Sequence, residues 1–160
     1  MNNILFHIRK IKDDEIGEAM KILEKWNMAP RKATPENPSP EREILEPAHT
    51  FVASVRGNIA GVCSYLILSE EEAETASLAV DPKFKGKGIG YALQVARLKE
   101  MIRKGFKRVH TETDRPETID WYIRKFGYKV VGKNPKKHNF SLNEVDEWTI
   151  LMLDLESANV

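Results

Sequence analysis

The sequence predicts an α/β (α+β) protein, and three observations predict it. Short β-type runs recur along the 160 residues, three of them consecutive over residues 50–80. Helix-length segments with one-sided apolar spacing alternate with those runs. Between them, Ser77 to Leu93 reads as strand, basic glycine-spaced loop and helix start. The length fits one domain, residues 1–160, with enough chain to bury a core.

Ile4, Phe6 and Ile8 alternate with His7 and Arg9, which predicts a short first strand. Asp13 or Asp14 can cap a helix in which Ile16, Ala19, Met20 and Leu23 recur at i, i+3, i+4 and i+7. Trp26 lies near its end. Residues 27–47 carry Pro30, Pro35, Pro38, Pro40 and Pro47, which preclude a long helix. A connection of this length inside a compact domain is unusual unless functional or disordered, so it reads as a linker or as a lid and pocket wall. Thr50–Val55 and Ile59–Leu68 flank Arg56-Gly57-Asn58, a hairpin signal. Glu70, Glu71, Glu72 and Glu74 are expected at a turn, before a strand over Thr75–Val80.

A helix over Gly88–Lys104 carries Ala92, Val95, Ala96, Leu98 and Ile102, with Gly105 as its stop. Val109–Thr113 reads as a strand. Asp114 and Glu117 are spaced as a capping box, with Pro116 in the first turn of a helix striped by Ile119, Tyr122, Ile123 and Phe126 and ended by Gly127. Tyr128–Val131 and Thr149–Leu155 are the last strands. Ser141 and Glu144 mark a short helix before Trp148, and Glu156–Val160 a loose tail.

Composition narrows the function classes. Twenty-five Lys and Arg against 24 Asp and Glu give a net charge of +1, which argues against a general nucleic-acid binder. No run approaches the roughly 18 apolar residues of a membrane span, and Met1–Glu15 lacks the apolar core of a signal peptide. Cys63, the one cysteine, excludes an internal disulfide and a cysteine-rich metal site; its apolar surroundings predict an inert, buried thiol. His7, His49, His110 and His138 lack i,i+4 spacing and read as structural or surface residues unless the fold unites two of them, so no metal is expected. These features point to a soluble cytoplasmic protein.

The glycine segment carries the chemistry. Backbone N–H groups, a helix N-terminus and Lys83, Lys85 and Lys87 form an anion cradle, the arrangement that holds a diphosphate without a metal. No G-x-x-x-x-G-K-[ST] string occurs, and Gly86, Gly88 and Gly90 are each two apart, so neither a P-loop nor a dinucleotide fingerprint fits. A flexible Lys/Gly surface loop is the competing reading.

The element order, together with two blocks, resembles the GNAT acetyltransferase superfamily. Leu78-Ala79-Val80-Asp81-Pro82 through Lys85-Gly86-Lys87-Gly88-Ile89-Gly90 looks like its acyl-CoA motif, [QR]-x-x-G-x-[GA]. Ile119 through Tyr128 is similar to its Y-x-x-x-G-[FY] block. Lys85 stands where the motif has Gln or Arg, keeping the charge without the bidentate fork. Arg115 stands where relatives often have an Asn that contacts CoA.

The resemblance implies a GNAT-like fold: a mixed, mostly antiparallel central sheet of six to seven strands with helices on both faces. It implies acetyl transfer from acetyl-CoA to an amine, on a small molecule or on a protein N-terminus or lysine; homodimers are common in the family. By the same resemblance, Lys85, Gly86, Lys87, Gly88, Ile89, Gly90 and Tyr91 cradle the diphosphate, and Leu78, Ala79 and Val80 pair with the pantetheine arm. Tyr122 protonates the leaving thiolate. Glu74, where many relatives have a strand glutamate, is the candidate base. An acyl-CoA sensor without transferase activity and a nucleotide-binding module are the alternatives.

Overall fold

The computed structural model describes residues 5–26, 28, 45–136, 141–142 and 144–160. Its strands and α-helices are β1 (His7–Lys10), α1 (Ile16–Lys25), β2 (Thr50–Val55), β3 (Asn58–Ile67), β4 (Glu72–Val80), α2 (Ile89–Arg103), β5 (Arg108–Thr113), α3 (Pro116–Phe126), β6 (Lys129–Pro135) and β7 (Glu147–Asp154). The strands form one sheet in the order β1-β2-β3-β4-β5-β7-β6. β4 and β5 pair in parallel and every other neighbouring pair is antiparallel. Among the described residues the predicted mixed sheet of six to seven strands has seven. Most of the proline-rich stretch read as a lid lies outside the described residues.

Side chains alternate across the strands, and the alternation assigns the helices to faces. Val52, Val62 and Ala79 pack with Ala19, Ile22 and Leu23 of α1. Their neighbours Ala53 and Cys63 pack on the opposite face with Ile89 and Leu93 of α2. On that second face Leu98 and Met101 of α2 meet Tyr122 of α3 over Val109, Leu151 and Leu153. Gly61 lets α2 come close: a Cβ there would lie 3.0 Å from both Ile89 Cγ2 and Leu93 Cδ1.

Local signals were met in part. Arg56 and Gly57 both have positive φ (51° and 82°), the type I′ geometry of a two-residue hairpin. After α2, Gly105 N–H bonds Ile102 O and Phe106 N–H bonds Met101 O, a Schellman stop.

Four local expectations are corrected. Asp13 and Asp14 lie in a 3-10 turn, Asp13–Glu15, and it is Glu15 that accepts the Lys12 N–H (2.9 Å) while Arg9 holds its carboxylate at 2.7 and 2.8 Å. Glu72 and Glu74 are strand residues, because β4 begins at Glu72. Asp114 does not cap α3: its buried carboxylate accepts from Lys136 Nζ (2.6 Å), Ser141 Oγ (2.7 Å) and Leu142 N (2.8 Å). Charge-assisted bonds in a buried setting outweigh a cap. They also draw Ser141 away from its expected capping role; its φ is 61°, and no helix forms among the described residues there.

The buried face of α2 is the largest departure. Ala92, Val95 and Ala96 are not its fully buried positions, and Ile102 is 38% exposed. The face turned inward holds Ile89, Leu93, Leu98 and Met101 together with Gln94, Arg97 and Glu100.

The opening that positions the site arises in β4. Tyr65 pairs with Thr75 but Cys63 pairs with Leu78, so Ser64 opposes both Ala76 and Ser77. This extra residue is a β-bulge, which bends its strand. The parallel pairing with β5 stops at the same level, at Thr75–Thr111. Beyond it β4 and β5 leave a wedge. Among the described residues no helix is long and apolar enough to cross a membrane.

Cys63 is fully buried, and desolvation pushes its thiol up to about 11. Native protein is therefore expected to leave a disulfide reagent such as DTNB unconsumed at pH 8, and denatured protein to consume one equivalent. Rapid reaction of the native state would contradict this packing.

Candidate active site

A cavity of about 420 Å³ occupies the wedge. Leu78, Ala79 and Val80 of β4 form one wall, Thr111, Glu112 and Thr113 of β5 the other. Trp121 and Tyr122 of α3 face it, and Lys85 and Gly90 bring in the glycine loop. Past Thr75 the β4 edge turned from β3 has no strand partner among the described residues, which leaves its backbone polar groups to other partners. One is taken: Val80 O accepts the Trp26 indole N–H at 2.9 Å.

The loop geometry explains its glycines. Gly86 and Gly88 have φ of 79° and 83°, left-handed values that L side chains rarely adopt. Nothing lies within 4 Å of a Cβ built at either, so the space above the loop is open. Gly88 is the N-cap of the 15-residue α2 and no side chain caps that end. The first N–H groups of a helix lack intrahelical acceptors, and the macrodipole adds partial positive charge there. Lys85 and Lys87 stand exposed beside it. Asp81 shapes the approach, accepting from Lys83 N at 3.2 Å and pairing with Lys25 at 3.1 Å.

The sequence-predicted residues separate into groups. Leu78, Ala79, Val80, Lys85, Gly90 and Tyr122 line the cavity. Gly86, Lys87 and Gly88 form the open loop beside it. Ile89 turns its side chain into the core, and Tyr91 stacks on Phe126 (5.3 Å between ring centroids), joining α2 to α3.

Tyr122 is 3% exposed, with its ring 4.9 Å from Tyr128 and 5.1 Å from Trp121. It stands five residues before Gly127, one more than the Y-x-x-x-G-[FY] spacing allows. One residue is about 100° of helix turn. Ile123, at the spacing the block requires, points away from the wedge and lines a different surface cavity. Geometry rather than spacing brings Tyr122 to the wedge. Its hydroxyl oxygen accepts from Arg97 Nη2 at 3.2 Å.

Glu74 is 4% exposed and is not among the cavity-lining residues. Its carboxylate lies 2.7 Å from His110 Nε2, on the α1 face of the sheet. Glu112, two residues along β5 on that same face, lines the cavity and accepts from Asn134 Nδ2 at 2.8 Å. Ligand-type atoms of Glu74, His110 and Glu112 lie within 4.8 Å of one another. The fold thus unites a histidine with two carboxylates 36 and 2 residues away in sequence, a grouping that spacing alone does not reveal.

Two further features escaped sequence reasoning. Trp26 and Arg115 clasp across the mouth of the wedge: Arg115 Nη2 donates to Trp26 O (3.3 Å) and its guanidinium lies 5.4 Å from the Trp26 ring. Gln94 and Arg97 sit buried beneath Tyr122. A signal existed for Arg97, since Ile89, Leu93, Arg97 and Met101 are spaced by four on one helix face.

The fold has counterparts among solved structures. Ard1 from Thermoplasma volcanium is similar at 21% identity and a TM-score of 0.73, covering 93% of this chain and 97% of that one. The ribosomal-protein-S18-alanine N-acetyltransferase from Escherichia coli is similar at 17% identity, TM-score 0.72, with 94% of each chain covered. The yncA protein from Salmonella typhimurium, solved with its cofactor acetyl-CoA, is similar at 16% identity and TM-score 0.71, covering 98% and 97%. At these identities the likeness speaks for the fold. No curated protein sequence matches the chain significantly. The sequence pattern of the "Acetyltransferase (GNAT) family" matches residues 18–128, more than half of the chain, and the chain belongs to that family.

Proposed function

We propose that the protein moves an acetyl group from acetyl-CoA directly to a primary amine, with donor and acceptor bound together. One observation carries the reading. A helix N-terminus behind an open glycine loop, a strand edge without a strand partner among the described residues and a buried tyrosine all border the same cavity. The first suits a diphosphate, the second an extended amide-bearing arm, the third a leaving thiolate.

In this reading Gly86 to Tyr91 hold the diphosphate through backbone N–H groups, with Lys85 and Lys87 adding charge. The free edge at Leu78 to Val80 aligns the pantetheine arm, and its N–H groups polarise the thioester carbonyl. An ammonium has no lone pair, so the acceptor must first lose a proton. We assign that proton to Glu74 with its bonded partner His110, relayed by water past Glu112. The amine nitrogen then forms the N–C bond as the C–S bond breaks. Tyr122 donates its hydroxyl proton to the thiolate and recovers one from solvent. The net products are an N-acetyl amide and free CoA thiol.

Three outcomes test this. Purified protein with acetyl-CoA should release thiol with cationic amines, such as a polyamine, lysine or a lysine-bearing peptide. Turnover confined to neutral acceptors would reject the acidic acceptor side, and tight CoA binding with no release on any amine would favour a sensor. Gly88→Asp should abolish the thermal shift that CoA produces, because it puts a carboxylate at the anion site and strains a left-handed position; a retained shift would mean the loop is not the cradle. Tyr122→Phe should lower kcat by about 10²-fold while acetyl-CoA affinity stays within about twofold, and unchanged turnover would remove Tyr122 from its role.

A further inference from the structure

We propose that Arg97 is a positioning residue that ties the β4 bulge to the Tyr122 hydroxyl, so that the wedge and its proton donor are set by one buried guanidinium. The proposal rests on the assignment of Tyr122 as proton donor.

Arg97 is fully buried, in the middle of α2. Burying a guanidinium is costly unless every donor is satisfied, and here all five N–H groups have acceptors. Nη1 donates to Ser64 O (2.9 Å) and Ser77 O (3.0 Å), the two carbonyls at the bulge. Nε donates to Gln94 Oε1 at 2.9 Å, and Nη2 donates both to that oxygen and to Tyr122 Oη, the latter at 3.2 Å. Gln94 in turn donates from Nε2 to Tyr128 Oη at 2.9 Å. All of these acceptors are neutral, and among the described residues no carboxylate pairs with Arg97.

A buried cation without an anion is out of balance in the resting enzyme. It is matched when negative charge develops on the tyrosine oxygen it touches, as happens when Tyr122 gives up its proton. Because Arg97 donates to that oxygen, the hydroxyl's own proton is free to point into the cavity. The same fork fixes the bulge carbonyls, so a change at residue 97 is felt at both the strand and the tyrosine. Lysine cannot replace it: an ammonium keeps the charge and three donors but not the planar reach to both sides.

The test is a cycle of Arg97→Lys, Tyr122→Phe and the double variant, with Gln94→Met as a second route that leaves the cation but removes the acceptor fixing its fork. In the Tyr122 background, Arg97→Lys should lower kcat about tenfold or more, with little change in the KM for acetyl-CoA. In the Tyr122→Phe background it should add less than about twofold, since contacting residues that act together are non-additive. An equal loss in both backgrounds would overturn the proposal while leaving the Tyr122 assignment intact; an active Tyr122→Phe enzyme would instead remove that assignment. A readout needing no acceptor is the ¹³Cζ spectrum of tyrosine-labelled protein, with four tyrosines in the chain. The signal lost in Tyr122→Phe should move in Arg97→Lys and in Gln94→Met. If that signal stays in place in a folded variant, Arg97 does not position the hydroxyl.

Discussion

The bulge opposite Ser64 and the guanidinium that satisfies it are the constraint on which the rest of the site depends. One extra residue in β4 coincides with the end of its parallel pairing with β5 at Thr75, and the following five residues have no strand partner on that side among the described residues. A bulge leaves backbone carbonyls without ladder partners, and in a buried place they must find others. Arg97 supplies those partners from the helix above. The cost of desolvating it is offset by a complete set of hydrogen bonds rather than by a counter-charge.

Charge is distributed unevenly about that cavity. At one end are Lys85, Lys87 and the uncapped N-terminus of α2; at the other lie Glu72, Glu74 and Glu112 around His110. A net charge of +1 hides this polarity. A long-range field of this kind favours an anionic group at the loop and a cationic one near the carboxylates. It is the polarity that the proposed reaction needs, in which a diphosphate-bearing donor meets an amine. The clasp between Trp26 and Arg115 bridges the two sides, joining the end of α1 to the start of α3.

Strands, helices and their order were readable because the underlying signals are local. The β-rich runs Thr50–Val55 and Ile59–Leu68, positive-φ residues at the hairpin, and glycines at 105 and 127 each act within a few residues. Caps were less readable. Asp114 has the spacing of a capping residue, yet Lys136 and Ser141, more than twenty residues away, claim its carboxylate. The buried face of α2 departs from its hydrophobic pattern for a related reason. Gln94, Arg97 and Glu100 count as solvent residues in any pattern of hydrophobicity, and only their distant partners make them tolerable inside: Ser64, Ser77 and Tyr122 for Arg97, Lys10 and Tyr65 for Glu100.

Family membership, the strand–loop–helix segment and its glycines were legible in the chain alone, because they depend on short stretches with fixed φ preferences. The tertiary structure alone decided which side chain of α3 faces the wedge. A one-residue change in spacing rotates a helix position by about 100°, and only packing against Tyr128 and Arg97 shows that Tyr122, not Ile123, turns inward. It also decided that Glu74 lies beside His110 and Glu112 rather than at a solvated turn. That grouping comes from the parallel register of β4 with β5, a pairing between segments about 36 residues apart that local pattern does not encode.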